Sequence, residues 1–417
     1  MLIEFSVANY RSFWETQTLK MTAAAGPELR ESNVFSPGVA GLPDLLRSAV
    51  VYGPNAAGKS NLIRALAFMR RFVLESAKEK QEGEAIGVRP FMFNKEGKDR
   101  PSEFEVIFLQ DGVRYQYGFA ATPDRVRAEW LFAYPEGRAQ RWFERLFDAE
   151  TEREEWHFGS KFGGRKKLWQ EATRSNALFL STAIQLNNEQ LKPVFQWFRN
   201  LAIIGPGTLL DPGFTTQQCG DEDGCRRIID FLNAADLSIQ DIHLEKRTLA
   251  EDELPADLPD KIKKKIVGKE MVRPLFLHPV AGSESMVSLP LEEESDGTRK
   301  LFAYAGPWLD ILAKGRILLV DELNNSLHPK MVRFLLSLLH SNETNYKNGQ
   351  VIFSTHDTNL LDQEIMRRDQ IWFVEKNREN ATRLYPLSDF SPRKKEALEK
   401  NYLHGRYGAL PYLRKVA

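Results

Sequence analysis

Gly53-Pro54-Asn55-Ala56-Ala57-Gly58-Lys59-Ser60 fits the pattern G-x-x-x-x-G-K-[ST] at every position. Ahead of it, Ala49-Val50-Val51-Tyr52 is a short apolar run that predicts a strand. Behind it, Leu62, Ile63, Leu66, Met69 and Val73 fall at helical spacing. Strand, glycine-bounded loop and helix, in that order, are what phosphate binding needs. Backbone N–H groups close around a β-phosphate, and the helix N-terminus adds partial positive charge. Lys59 supplies a point charge for the β- and γ-phosphates, and the Ser60 hydroxyl is a ligand for Mg²⁺. The loop with the next residue, Asn61, is the candidate site for ATP and Mg²⁺.

Ile317-Leu318-Leu319-Val320 is a continuous apolar run, the mark of a strand buried on both faces. It delivers Asp321 and Glu322 to the C-terminal edge of a parallel sheet, where ligands of open α/β sheets bind. Asp321 there holds Mg²⁺ through water, and Glu322 is the general base for the attacking water. An acidic pair at a strand end can merely cap the next helix; together with residues 53–60 the catalytic reading is preferred. Val351-Ile352-Phe353 and Ile371-Trp372-Phe373-Val374 repeat the buried-strand signal. The core sheet is therefore expected to be mostly parallel.

The chain has 417 residues, 42% hydrophobic and 27% charged, an ordinary core-forming composition. Lys+Arg and Asp+Glu both number 57, which argues against coating nucleic acid through bulk charge. Two cysteines, Cys219 and Cys225, are too few for a disulfide scaffold or a four-ligand zinc site and imply a reducing, cytoplasmic setting. There is no signal peptide and no apolar run near the ~18 residues that span a bilayer, so no membrane partner is expected. Ile3, Phe5 and Val7 alternate as an opening strand, and a second runs through Leu19 and Met21. Residues 24–46 read as a surface loop. Residues 103–134 read as a β-meander, with Asp111-Gly112 as a hairpin signal. Helices are expected over Leu191–Phe198 and Arg226–Ala235, and Lys261–Arg273 is strongly charged and reads as a solvated segment or a hairpin.

With these motifs in place a resemblance emerges. Asp321-Glu322-Leu323-Asn324-Asn325-Ser326-Leu327-His328-Pro329 resembles the Walker-B and D-loop of ABC-type ATPases in the SMC, recombination-repair and OLD group. Ser354-Thr355-His356 resembles their histidine switch, and Ser295-Asp296-Gly297-Thr298, whose Gly297 is 24 residues before Asp321, their signature. Asn9-Tyr10-Arg11-Ser12-Phe13 is similar to the N-terminal segment of the same group, and Gly405-Arg406-Tyr407-Gly408-Ala409-Leu410-Pro411 resembles the end of the stand-alone ATPases of prokaryotic defence loci, the RloA-like and abortive-infection proteins. The sequence departs from the pattern at Asn324, where Asp is frequent, and at Glu294 before Ser295, where Leu is usual.

The resemblance implies an α/β fold, an ABC-type P-loop NTPase with a mostly parallel core sheet. It would carry an N-terminal antiparallel β-subdomain and a mixed, largely helical insertion. The parts are residues 1–135 (loop and meander), 136–280 (insertion) and 281–417 (signature, Walker B, D-loop and switch). His356 would contact the γ-phosphate, Gln185 would sense Mg²⁺, and His328 would shape the D-loop turn. Ser295 and Gly297 would meet the γ-phosphate on an opposite subunit. Alone, Ser295-Asp296-Gly297 reads as a helix N-cap. As a signature it requires two copies, because one chain holds one loop and one signature.

The function implied is an ATP-hydrolysing dimer, or a higher oligomer of dimers, switching a separately encoded effector of anti-phage defence, a nuclease first among the candidates. The alternative is an SMC-like DNA-repair or DNA-clamping ATPase, which would bring nucleic acid in as a partner. Neutral charge and the absence of sustained heptads weigh against it. A self-contained OLD-type nuclease needs a Toprim domain of ~100 residues, and 61 follow His356. A transporter subunit would lack the long stretch between Lys59 and the signature.

Overall fold

Phe104, Val106 and Phe108 alternate with polar residues, and so do Tyr115, Tyr117 and Phe119 across the Asp111-Gly112 turn; period-two burial makes each run a strand. In the computed structural model, which describes residues 1–79, 81–207, 210–248, 263, 267, 268, 270–393 and 396–411, these runs lie in a seven-stranded antiparallel sheet. Its order is Arg153–Phe158, Gln140–Asp148, Val126–Tyr134, Val113–Ala121, Ser102–Gln110, Leu2–Ala8, Gln17–Lys20. The meander therefore continues past Tyr134 through two more strands, and the sheet crosses the boundary expected at residue 135.

A second sheet has six strands in the order Leu201–Ile204, Ile317–Val320, Gln350–Ser354, Ser48–Tyr52, Ile371–Lys376, Thr382–Pro386. The first five run parallel and the last is antiparallel. The helix Lys59–Glu79 leaves the end of Ser48–Tyr52 and buries Leu62, Ile63, Leu66, Met69 and Val73 in one core with side chains of both sheets. Its outer rings meet the antiparallel sheet, Phe68 on Phe104 at 5.1 Å and Phe72 on Phe119 at 5.3 Å. Full burial of each such ring contributes about 1.5–3 kcal/mol, so the helix is held rigidly behind the loop it starts from.

The chain divides into two units, Met1–Thr208 with Ile311–Leu323 and Leu336–Ala417, and Leu209–Asp310 with Asn324–Leu335. Both sheets above belong to the first. The second holds helices Gly213–Gln218 and Glu222–Ala234 and a three-stranded antiparallel sheet, Asp241–Thr248, Glu270–Pro279 and Met286–Pro290. Of the charged segment Lys261–Arg273, six residues lie outside the described residues, and its last four open the strand Glu270–Pro279, paired with Asp241–Thr248. The segment 24–46 is more than a surface loop. It contains a helical turn, Arg30–Asn33, and paired strands Val34–Phe35 and Leu45–Leu46, all four strand residues buried. Buried Asn33 explains the order, donating to Ile365 O at 2.9 Å and Gln370 Oε1 at 2.7 Å. Among the described residues no helix is long and apolar enough to cross a membrane.

Candidate active site

All five residues of strand Ser48–Tyr52 are buried, and the loop springs from its C-terminal end. Gly53 is required there, because a Cβ would lie 2.3 Å from Val374 O. Gly58 has φ +123°, and its Cβ would lie 2.4 Å from Thr382 Oγ1. Lys59 is 6% exposed and its Nζ donates to Gly53 O at 2.7 Å and Pro54 O at 3.2 Å. Burial lowers the Lys59 pKa, and the charges of Asp321 and Glu322 oppose that shift. The ammonium thus lies over the loop, bonded to carbonyls that an incoming phosphate can replace.

The neighbouring strands bring in the carboxylates. Ser60 Oγ donates to Asp321 Oδ2 at 2.8 Å, and Ser354 Oγ donates to Asp321 Oδ1 at 2.6 Å. The same Ser354 Oγ accepts from Glu322 N at 2.8 Å. Buried Ser354 therefore orients both acidic residues. Glu322 itself is exposed with φ +55°, a left-handed backbone that costs about 1–3 kcal/mol for a non-glycine residue. Strain of this kind persists where surrounding bonds enforce it, and the Ser354 bond does so here.

His356 follows strand Gln350–Ser354. Although the residue is exposed overall, its partial burial lowers its pKa, as does the Lys59 charge, while Glu322 and Asp321 act in the opposite direction. The imidazole is thereby favoured in its neutral form and stands in the field of all three groups. Lys59, Ser60, Asp321, Glu322 and His356 are together at the C-terminal ends of three adjacent parallel strands.

The opening segment braces the loop from behind. Thr382 N donates to Ser12 O at 2.7 Å, Thr382 Oγ1 donates to Ala57 O at 2.7 Å, and the two hydroxyls lie 2.8 Å apart. Asn61 Nδ2 donates to Ser12 Oγ at 2.8 Å and its oxygen accepts from Arg64 at 3.3 Å, so this side chain serves the brace. Sequence patterns did not single out Ser354, Ser12 or Thr382 individually. The first two lie inside motifs quoted for other residues, and Thr382 carries no signal.

Gln185 is not brought to the cluster. It ends the helix Phe179–Gln185, which packs on the far half of Lys59–Glu79 through Ser181 Oγ, bonded to Val73 O at 2.6 Å and Ser76 Oγ at 3.0 Å. Val73 is about 20 Å along the helix axis from Ser60. Buried Glu129 fixes this position by accepting from Phe179 N at 2.6 Å and Leu180 N at 3.0 Å. The Mg²⁺-sensing role expected for Gln185 is corrected by this placement.

Ser295 and Gly297 lie in the second unit. Ser295 Oγ accepts from Thr298 N at 3.1 Å and so caps the helix Asp296–Lys314. A Cβ at Gly297 would make only ordinary contacts, 3.8 Å to Ser326 O and 3.9 Å to Ser295 Oγ. Lys300 ties the helix to the following loop by donating to Asn325 O at 2.6 Å. His328 Nδ1 accepts from Lys330 N at 3.2 Å at the entry to helix Pro329–His340.

A family model described as "AAA domain, putative AbiEii toxin, Type IV TA system" matches residues 48–199 and 283–362, more than half of the chain. No curated protein matches. Among solved structures the chain is similar to the SMC head domain from Thermotoga maritima, at 12% identity over 92% of this chain and 98% of that one, with TM-score 0.41. It is also similar to an SMC head bound to the C-winged helix domain of ScpA (11% identity, 92% and 97% covered, TM-score 0.39). A third is the recombination mediator RecF (13% identity, 92% and 98% covered, TM-score 0.36). The matched stretches contain the loop of residues 53–60, the acidic pair and His356, and on that match the chain belongs to this AAA-domain family.

Proposed function

We propose that the chain is an ABC-type ATPase that binds ATP with Mg²⁺ and hydrolyses it in a site completed by a second copy, as the switch of a defence system. The observation that carries this reading is the convergence of Lys59, Ser60, Asp321, Glu322 and His356 on one sheet edge. The oxygens of Ser60 and Asp321 suit a hard cation, Ser60 as a direct ligand and Asp321 through water. When bound, Mg²⁺ neutralises charge on the phosphate oxygens. Lys59 exchanges its bonds to Gly53 O and Pro54 O for the β- and γ-phosphates. Glu322, aimed by Ser354, takes the proton of the attacking water, and neutral His356 orients that water against the γ-phosphate. Ser295, the helix start behind it and Gly297, where a Cβ would meet only ordinary contacts among the described residues, suit close approach to a phosphate on the partner. Opening and closing such a dimer acts on a cell through something it holds; the reading assigns it a separately encoded effector, a nuclease or other toxic enzyme, with the strands of residues 100–160 and the second unit as surfaces for it.

Phosphate release from ATP by the purified chain tests the enzymatic core. Glu322→Gln is expected to keep ATP affinity, lose turnover by about 10²–10⁴-fold and accumulate as a nucleotide-bound dimer in light scattering. Unchanged turnover in that variant would remove Glu322 from the mechanism. Co-purification from the native locus tests the effector, and a chain that stays alone and produces the phenotype by itself contradicts it.

A further inference from the structure

The turn that carries His356 is anchored by residues outside the phosphate chemistry. Asp357 O accepts from Tyr52 OH at 2.9 Å, and Tyr52 is the buried residue just before Gly53. Thr358 Oγ1 donates to Glu399 Oε1 at 2.6 Å. Gln363 Nε2 donates to Arg393 O and to Glu396 O, both at 3.1 Å. Glu399 rides on the helix Leu398–Leu403, which is itself fixed. Tyr402 stacks on Phe373 at 5.3 Å and touches the Tyr52 ring at 5.9 Å, while its hydroxyl donates to Ala409 O at 3.0 Å. Ala409 N in turn donates to Glu375 Oε2 at 3.1 Å, on the strand beside Ser48–Tyr52.

The turn is not self-sufficient. Asp357 Oδ1 accepts from Asn359 N at 3.0 Å, but Asp357 Oδ2 is buried with no hydrogen-bond partner among the described residues. A buried carboxylate oxygen left so is unfavourable, and a turn that contains one depends on its neighbours to persist. The neighbours here are Tyr52 on one side and the segment 396–409 on the other.

We infer that Glu399, acting through Thr358, is a positioning residue for His356, and that segment 396–409 is the clasp that sets the imidazole against Lys59 and Glu322. The inference rests on the reading of His356 as a catalytic group in ATP hydrolysis. It gives the Gly405–Pro411 stretch a task, since Tyr407 and Ala409 lock the helix that presents Glu399. Tyr407 OH donates to Glu396 Oε1 at 2.9 Å, and its ring stacks on Phe373 at 5.9 Å. Reacting groups displaced by about 1 Å can lose ~10²-fold in rate, so a clasp at one remove is sufficient to control turnover.

The test is kcat, KM and directly titrated ATP affinity for Thr358→Val, Glu399→Ala, the double variant, Thr358→Ser and Glu399→Gln. Thr358→Val and Glu399→Ala are each expected to lower kcat about tenfold with ATP affinity unchanged, and the double variant to fall no further. Thr358→Ser keeps the donor and Glu399→Gln keeps an acceptor, so both are expected to turn over like the unaltered chain. Full activity in Thr358→Val and Glu399→Ala overturns the inference, as does a loss that adds in the double variant or follows ATP affinity. A chain that binds ATP without any turnover contradicts the parent reading and removes this one with it; a normal unaltered enzyme with indifferent variants contradicts the clasp alone.

Discussion

Lys59 is the residue on which the site turns, because its ammonium is buried against two loop carbonyls and beside two carboxylates. Lys59→Ala is expected to reduce ATP affinity by at least about 100-fold, close to 3 kcal/mol, since no other side chain of the loop supplies that charge. Its melting temperature should stay near that of the unaltered chain, because the deletion removes a charge that burial disfavours. A folded variant that titrates with ATP normally contradicts the assignment. Lys59, Ser60, Asp321 and Glu322 were legible in the sequence because their chemistry is written in contiguous residues flanked by apolar strands. Ser354 was hidden by its neighbour His356. Gln185 misled, because a glutamine after a helical run has no address until Glu129 fixes where that helix begins.

At the scale of elements, the parallel strands were legible as continuous apolar runs, but their order was not. Strand Ser48–Tyr52 lies between Gln350–Ser354 and Ile371–Lys376, a placement set by contacts hundreds of residues apart. One such contact joins the start of that strand to the end of helix Pro329–His340, where Ser48 Oγ and His340 Nε2 lie 2.9 Å apart. Burial, reinforced by the Arg47 charge, lowers the His340 pKa from 6.5 to about 3. The unfolded chain therefore gains this proton near pH 6.5 and the folded chain only near 3. Between those values the unfolded state binds more protons, so stability is lost as pH falls through the window. From pH 7 to pH 5 the loss amounts to about 2 kcal/mol. In His340→Gln the drop in unfolding free energy between pH 7 and pH 5 is expected to be smaller by that amount, measured by denaturant titration. An identical pH dependence in the variant shows that His340 titrates normally. The segment 24–46 was misread for a related reason: its Gly, Pro and Ser content marks turns, while its order comes from Asn33 and distant Gln370.

At the scale of the whole molecule, the phosphate loop and the acidic pair belong to one unit of the chain and Ser295 and Gly297 to the other. Whether a site is completed by residues of two copies, as proposed, is tested most directly by mixing two inactive variants. Lys59→Ala loses the loop but keeps the capped helix start at Ser295; Ser295→Arg keeps the loop but blocks that start. A dimer of one with the other holds one intact composite site. Phosphate release is expected to be near zero for each variant alone and to return on mixing, up to about one quarter of the unaltered rate if half the dimers are mixed and each has one of two sites. Two variants that stay silent when mixed, beside an unaltered chain that hydrolyses ATP, would contradict the shared site.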